Sequence, residues 1–138
     1  MYSTDEDYLE IKLYGEQNLL YAKWKRSVSS EEYRTGVRNL VRLLQEEVYY
    51  LIIDSEKLPT LVIPEQQWLL REFCPLLANT KVRKMARIGN GDVFSYLVID
   101  NLTEQASQTY SFQLAFKHCK TMEEAMEWLQ LYESRHSA

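Results

Sequence analysis

Leu9, Ile11 and Leu13 alternate with Glu10 and Lys12. A period of two sends successive side chains to opposite sides of an extended chain, so this stretch predicts a half-buried strand. Residues 14–18, YGEQN, turn the chain, and Leu20, Ala22 and Trp24 then alternate with Tyr21, Lys23 and Lys25. The short connection predicts an antiparallel hairpin. Over residues 27–47 the period changes. Tyr33, Val37, Leu40, Val41 and Leu44 fall on one helical stripe, and Ser29 with Glu32 has the spacing of a capping box. Gly36 lies inside this helix, where glycine costs about 1 kcal/mol relative to alanine; a close helix–sheet contact would offset that cost.

Residues 48–54, VYYLIID, form a short continuous apolar run that predicts a strand buried on both faces, with Asp54 at its exit. Pro64 suits the first turn of a following helix, in which Leu69, Phe73, Leu76 and Leu77 share a face and Pro75 kinks or ends the regular part. Residues 81–89 predict a fourth strand. Asp92 caps a helix running through Phe94, Leu97, Val98 and Leu102. Tyr110, Phe112, Leu114 and Phe116 alternate with Ser111, Gln113 and Ala115 as a fifth strand. A last helix starts at a second capping box, Thr121 with Glu124, and buries Ala125, Trp128, Leu129 and Tyr132.

The predicted order is β-β-α-β-α-β-α-β-α, an α/β fold with a mostly parallel five-stranded sheet, right-handed crossovers and an antiparallel first strand at one edge. Strands one, two and five each keep a polar side. A sheet covered on both faces would lack such sides, so helices are expected to crowd one face and leave part of the other open to solvent or a partner.

Composition narrows the function classes. The 138 residues form a single domain by this reading, with an ordered core at about 8–134, and 46% of them are hydrophobic. A net charge of −4 without a basic run argues against nucleic acid as the main ligand. The longest apolar runs fall short of the ~20 residues a membrane span needs. The acidic start, MYSTDEDYLE, lacks a signal-peptide pattern, and Cys74 and Cys119 are read as reduced thiols of a cytoplasmic protein.

Trp24, residues 29–36 (SSEEYRTG), 51–58 (LIIDSEKL), 64–69 (PEQQWL) and 122–129 (MEEAMEWL) span nearly the whole chain in an order that resembles the SpoIIAA-like (STAS) fold and its CRAL-TRIO-type relatives. The chain is similar to small stand-alone bacterial members of unknown function. The resemblance implies a regulator that works by protein contact rather than an enzyme. Antagonists of this fold dock through the loop after strand three and the helix beyond it, and carry a phosphorylatable serine at that helix start. Here the matching stretch is Leu61-Val62-Ile63-Pro64, which has no hydroxyl, so the serine switch is expected to be absent. Thr60 lies in the loop, and Ser55 at the strand exit.

The candidate partner-binding surface is therefore Asp54, Ser55, Leu58, Thr60, Leu61, Val62, Glu65 and Trp68, facing a protein partner or a second copy in a homodimer. Leu61-Val62-Ile63 is an unusually apolar loop, and exposed apolar clusters mark contact sites. The alternative is a small apolar or lipid-like ligand, which requires an enclosed pocket. Asp54-Ser55 reads as a turn where the chain leaves the core. His118 and Cys119 leave strand five, which could bring them beside Asp54 as a Cys–His–Asp cluster, but adjacent strand residues point apart. No zinc-type spacing is present, and no metal or other cofactor is expected. The GNGD turn at residues 89–92 lacks the Lys-Ser/Thr pair of a P-loop. Tyr8, Tyr14, Tyr21 and Tyr49 or Tyr50 are candidates for the less covered sheet face.

Overall fold

The computed structural model describes residues 2–110 and 114–131. Six strands form one sheet in sequence order: β1 (Tyr2–Asp5), β2 (Leu9–Tyr14), β3 (Leu19–Trp24), β4 (Tyr50–Asp54), β5 (Lys84–Ile88) and β6 (Ala115–Cys119). The β1–β2 and β2–β3 pairs are antiparallel, and β3 to β6 are parallel. Helices α1 (Ser30–Leu43), α2 (Ile63–Trp68), α3 (Cys74–Ala78), α4 (Val93–Tyr110) and α5 (Met122–Leu129) lie between or after the parallel strands.

Among the described residues the strand count is six rather than five. The added strand, β1, comes from the acidic N-terminal stretch, in which Asp5 and Asp7 are partnered: Lys25 Nζ donates to Asp5 at 2.7 Å, and Arg26 pairs with Asp7 at 3.1 Å. The last strand also departs from expectation. Tyr110 ends α4, and its hydroxyl donates to the Leu70 carbonyl at 2.9 Å, so it is not a strand residue. The β6 strand runs from Ala115 to Cys119, with Ala115 N–H on the Arg83 carbonyl and Gly89 N–H on the Cys119 carbonyl. Ser111, Phe112 and Gln113 of the expected strand lie outside the described residues, as does Tyr132 of the expected last helix.

The two sheet faces are covered unequally. On the first face, Leu9, Ile11, Leu20, Ala22, Trp24 and Leu51 meet α1 and the helices from α2 to α4 in the main core. Helix α1 has the complete capping box, with Glu32 N–H on the Ser29 hydroxyl and Ser29 N–H on the Glu32 carboxylate. Its Gly36 lies so close to the sheet that a Cβ there would come within 2.7 Å of the Trp24 ring and 2.9 Å of Leu9. On the second face a smaller cluster of Leu19, Ile52, Ala86, Ile88 and Cys119 packs under α5 through Ala125 and Leu129. Thr121 caps α5, but Glu124 turns back to the Lys120 N–H, so the second box is only half formed. Tyr14, Tyr21 and Tyr50 edge this smaller cluster, whereas Tyr8 stacks on Trp24 in the main core.

One helix face differs from its expected stripe, and a second helix exposes part of its apolar run. Between α2 and α3 the turn Leu69–Phe73 is a π-helix, closed by Cys74 N–H on the Leu69 carbonyl. Pro75 follows at once; it has no N–H to give, and its ring needs the preceding turn to widen. The extra residue in that turn rotates the helix, so Leu69 and Leu77 are buried, Phe73 is half-buried and Leu76 is exposed. In α4 the buried positions are Ser95, Leu102 and Ala106, with Val98 and Ile99 half-buried, while Phe94 and Leu97 face outward.

Candidate functional site

Helices α2 and α4 start where β4 and β5 end. These strands are parallel neighbours, so both helix starts lie at one end of the sheet. Asp54 and Ser55, at the β4 exit, are buried. Asp54 Oδ1 accepts the Glu56 N–H at 3.1 Å, an Asx turn, while Ser55 N–H extends the β4–β5 ladder to the Ile88 carbonyl at 2.8 Å. Leu58 N–H closes the turn on the Ser55 carbonyl. Neither side chain meets His118 or Cys119 in a catalytic cluster. His118 lies on the first face with Nε2 at 2.8 Å from Asp100 in α4, and Cys119 is buried on the second face against α5. Burial raises the thiol of Cys119 above its ordinary pKa, and pushes that of Cys74 to about 11, so both are protonated at neutral pH.

Glu65 is a buried carboxylate that ties α2 to α1. It accepts from Arg34 Nε at 3.0 Å and Nη2 at 3.2 Å, and from the Ser30 hydroxyl. Burial alone would raise its pKa; the two partners outweigh burial and hold it below the usual carboxylate value. Trp68 is buried beside it, with the guanidinium groups of Arg34 and Arg38 over its ring at 5.3 and 5.4 Å. Leu58 is buried too. These residues hold the loop in place.

The rest of the loop turns outward. Gln66 Nε2 fixes the Leu61 carbonyl at 2.8 Å, and Thr60 Oγ1 lies 2.6 Å from Ser95 Oγ and 3.3 Å from Asp92 Oδ2. Thr60 thereby ties the start of α2 to the start of α4. Around this tie stand Val62, Ile63, Val93, Phe94 and Leu97, each between 61% and 68% exposed. Val93, Phe94 and Leu97 share one side of α4. Next to them are the exposed Asp92, Asp100 and Glu104, and the sequence contains no Lys or Arg between Arg87 and Lys117. A shallow cleft of about 140 Å³ runs beside the loop between Ser29, Tyr33, Thr60 and Val62.

Of the sequence-derived surface, Asp54, Ser55, Leu58, Glu65 and Trp68 are thus interior, Thr60 and Leu61 are half-buried, and Val62 is on the surface. The sequence reading ran a helix through Phe94 and Leu97 without naming them, or Val93, as surface residues. A signal was present: residues 93–99, VFSYLVI, are apolar nearly all round, so a helix with one covered side must expose some of them. Among the described residues no helix is long and apolar enough to cross a membrane, and no three His, Cys, Asp or Glu side chains gather as a metal site.

No family model matches the chain, and no curated protein is found similar to it. Among solved structures, an uncharacterized protein of the DUF3478 family from Shewanella loihica PV-4, described as having a SpoIIAA-like fold, superposes with a TM-score of 0.59. The likeness covers 88% of this chain and 93% of that one at 20% identity. The antiparallel start, the parallel strands with interleaved helices and this superposition agree: the chain has the SpoIIAA-like fold.

Proposed function

We propose that this chain is a non-catalytic interaction domain that docks a protein partner on the apolar cap formed by the starts of α2 and α4. The observation that carries the reading is that Val62 and Ile63 at the start of α2 and Val93, Phe94 and Leu97 at the start of α4 are all exposed, while Thr60 joins the two helix starts through Ser95. Water contact with such a patch is unfavourable, and patches of this kind with a polar rim mark interaction sites. The rim selects the occupant. Asp92, Asp100 and Glu104 flank the cap without a neighbouring Lys or Arg in the sequence of α4, so a second copy would bring like charges together and an anionic membrane surface would be repelled. The complementary partner presents apolar residues flanked by Lys or Arg. The partner contact needs no hydroxyl at the α2 start, consistent with Leu61-Val62-Ile63-Pro64 there.

The lipid-like alternative has weaker support. The apolar cavity between Phe73, Leu77, Met85, Leu102 and Phe116 holds about 90 Å³, against the ~300 Å³ at which ligand pockets begin.

Selection of a random-peptide display library on the wild-type protein, with counter-selection on Phe94→Asp, tests the docking surface. Enrichment of peptides combining aromatic or aliphatic residues with Lys or Arg is expected. Peptides that bind both proteins equally, or an acidic consensus, overturn the reading. A wild-type dimer by light scattering that Phe94→Asp dissociates would replace the partner by a second copy.

A further inference from the structure

The sheet ends at β6, which among the described residues pairs only with β5. Ala115 N–H bonds to the Arg83 carbonyl, and the Cys119 carbonyl accepts from Gly89 N–H. Alternate residues of a parallel strand turn their main-chain groups to the same neighbour, so Ala115, Lys117 and Cys119 face β5. Phe116 and His118 then direct their N–H and C=O groups to the open side, where no described strand lies. An open edge of this kind is a template for another extended chain.

The edge has shape as well as unused bonds. His118 Nε2 lies 2.8 Å from Asp100 Oδ1, which ties α4 to the strand. A cleft of about 530 Å³ is lined by Asp100, Thr103, Glu104 and Ser107 of α4 and by Leu114 and Phe116. From Asp100 to Ser107 the helix rises roughly 10 Å, the reach of about three strand residues. Lys117 is exposed and shares the second face with Cys119, so its side chain does not fill this cleft.

We propose that the β6 edge and this cleft receive an extended segment of a partner protein as an added strand, with Lys or Arg at alternate positions. The main-chain groups of Phe116 and His118 supply the pairing, and the α4 side selects the sequence. Asp100 and Glu104 are exposed and stand one helical turn apart, roughly 6 Å along the axis. Strand residues that point to one side are about 6–7 Å apart, so two basic residues separated by one other meet both carboxylates. A second copy set edge to edge would bring two acidic flanks of α4 together, so the occupant is a different chain. This contact runs through the main chain rather than through the apolar cap, and it stands whether or not the cap is occupied.

The test titrates a peptide that alternates lysine with valine or threonine, blocked at both ends, into the isotope-labelled protein and follows the amides by NMR. A peptide of the same composition with its lysines contiguous controls for charge alone. Saturable binding is expected, about tenfold tighter than the control. Hydrogen exchange should slow at the Phe116 and His118 amides and stay unchanged at Lys117, whose N–H faces β5. Glu104→Lys weakens binding about tenfold. Phe116→Pro removes an outward N–H, leaves the β5 ladder bonds in place and abolishes binding; circular dichroism checks its fold. If that variant unfolds, two N-methylated peptides carry the comparison. Methyl groups on every lysine nitrogen, or on every nitrogen between, block opposite edges of the peptide, so one of the two should lose binding and the other keep it. Equal binding of both, equal binding of the alternating and control peptides, no slowing at Phe116 and His118, or shifts confined to Phe94 and Leu97 on the cap overturns the proposal. A peptide-free dimer that Phe116→Pro dissociates also overturns it, by giving the edge to a second copy.

Discussion

Helices α1 and α4 pack on the same face of the sheet and obey opposite rules. Helix α1 directs Tyr33, Val37, Leu40 and Leu44 inward and carries Glu31, Arg38 and Arg42 on its other side. Helix α4 buries a serine in its first turn and exposes Val93, Phe94 and Leu97. Its inversion has a local cause. The loop before α2 needs a partner for Thr60, and Ser95 and Asp92 supply it. Once Ser95 points inward, the neighbouring apolar positions must point out. The contrast is between a helix whose apolar side is used up by the interior and one whose first turn leaves apolar side chains in water, the exposure on which the proposed docking rests.

The comparison breaks if the two helices respond alike to truncation. Leu40→Ala, in the fully packed stripe of α1, is expected to lower stability by about 2–5 kcal/mol, read from urea unfolding. Arg34→Met should cost less, about 1–3 kcal/mol near neutral pH, because it leaves the buried Glu65 carboxylate without its cation while Arg34 itself is partly hydrated. The pH dependence follows from the direction of the Glu65 shift. A carboxyl held below its unfolded value stabilises the fold fully above the ordinary carboxylate pKa, about 4.3, and that contribution is lost as pH falls through the folded value. The gap between wild type and Arg34→Met in acid titrations should therefore narrow below about pH 4. A constant gap would mean that lost packing on Trp68, not charge, sets the cost. Leu97→Ala is expected to change stability by less than about 0.5 kcal/mol while weakening peptide capture. A loss as large as that of Leu40→Ala would place Leu97 in the interior and remove the contrast.

What could be read from the sequence tracks how locally each feature is determined. The alternation of Leu9, Ile11 and Leu13 and the Ser29–Glu32 cap report their own geometry, and β2 and α1 form as the pattern requires. The apolar run ending at Asp54 likewise emerges as a strand buried on both sides. Residues Tyr2–Asp5 have no such pattern; their extended form comes from pairing with β2, a contact that no local period records. The two ends of β6 are set by its neighbour, Ala115 on Arg83 and Cys119 on Gly89, so the alternation of residues 110–116 misplaced it. Pro75 announced an irregular helix, but the widened turn that moves Leu76 outward depends on the fit to the sheet. At the candidate site, the exposure of Val62 follows from an apolar loop before Pro64, whereas the side of α4 that faces water depends on one hydroxyl contact between Thr60 and Ser95, 35 residues apart. The Asp100–His118 pair joins a helix to an edge strand and left no motif at all.

The thin cover of the second face has a consequence for synthesis. Helix α5, eight residues long, follows all six described strands, and the cluster of Leu19, Ile52, Ala86 and Ile88 packs beneath it. A ribosome-bound chain that has already emerged through β6 can assemble the whole sheet and its first-face helices, yet it still presents that apolar surface bare. During that interval the nascent protein is at its most adhesive, and a chaperone would find its target on the side over which, among the described residues, α5 later packs.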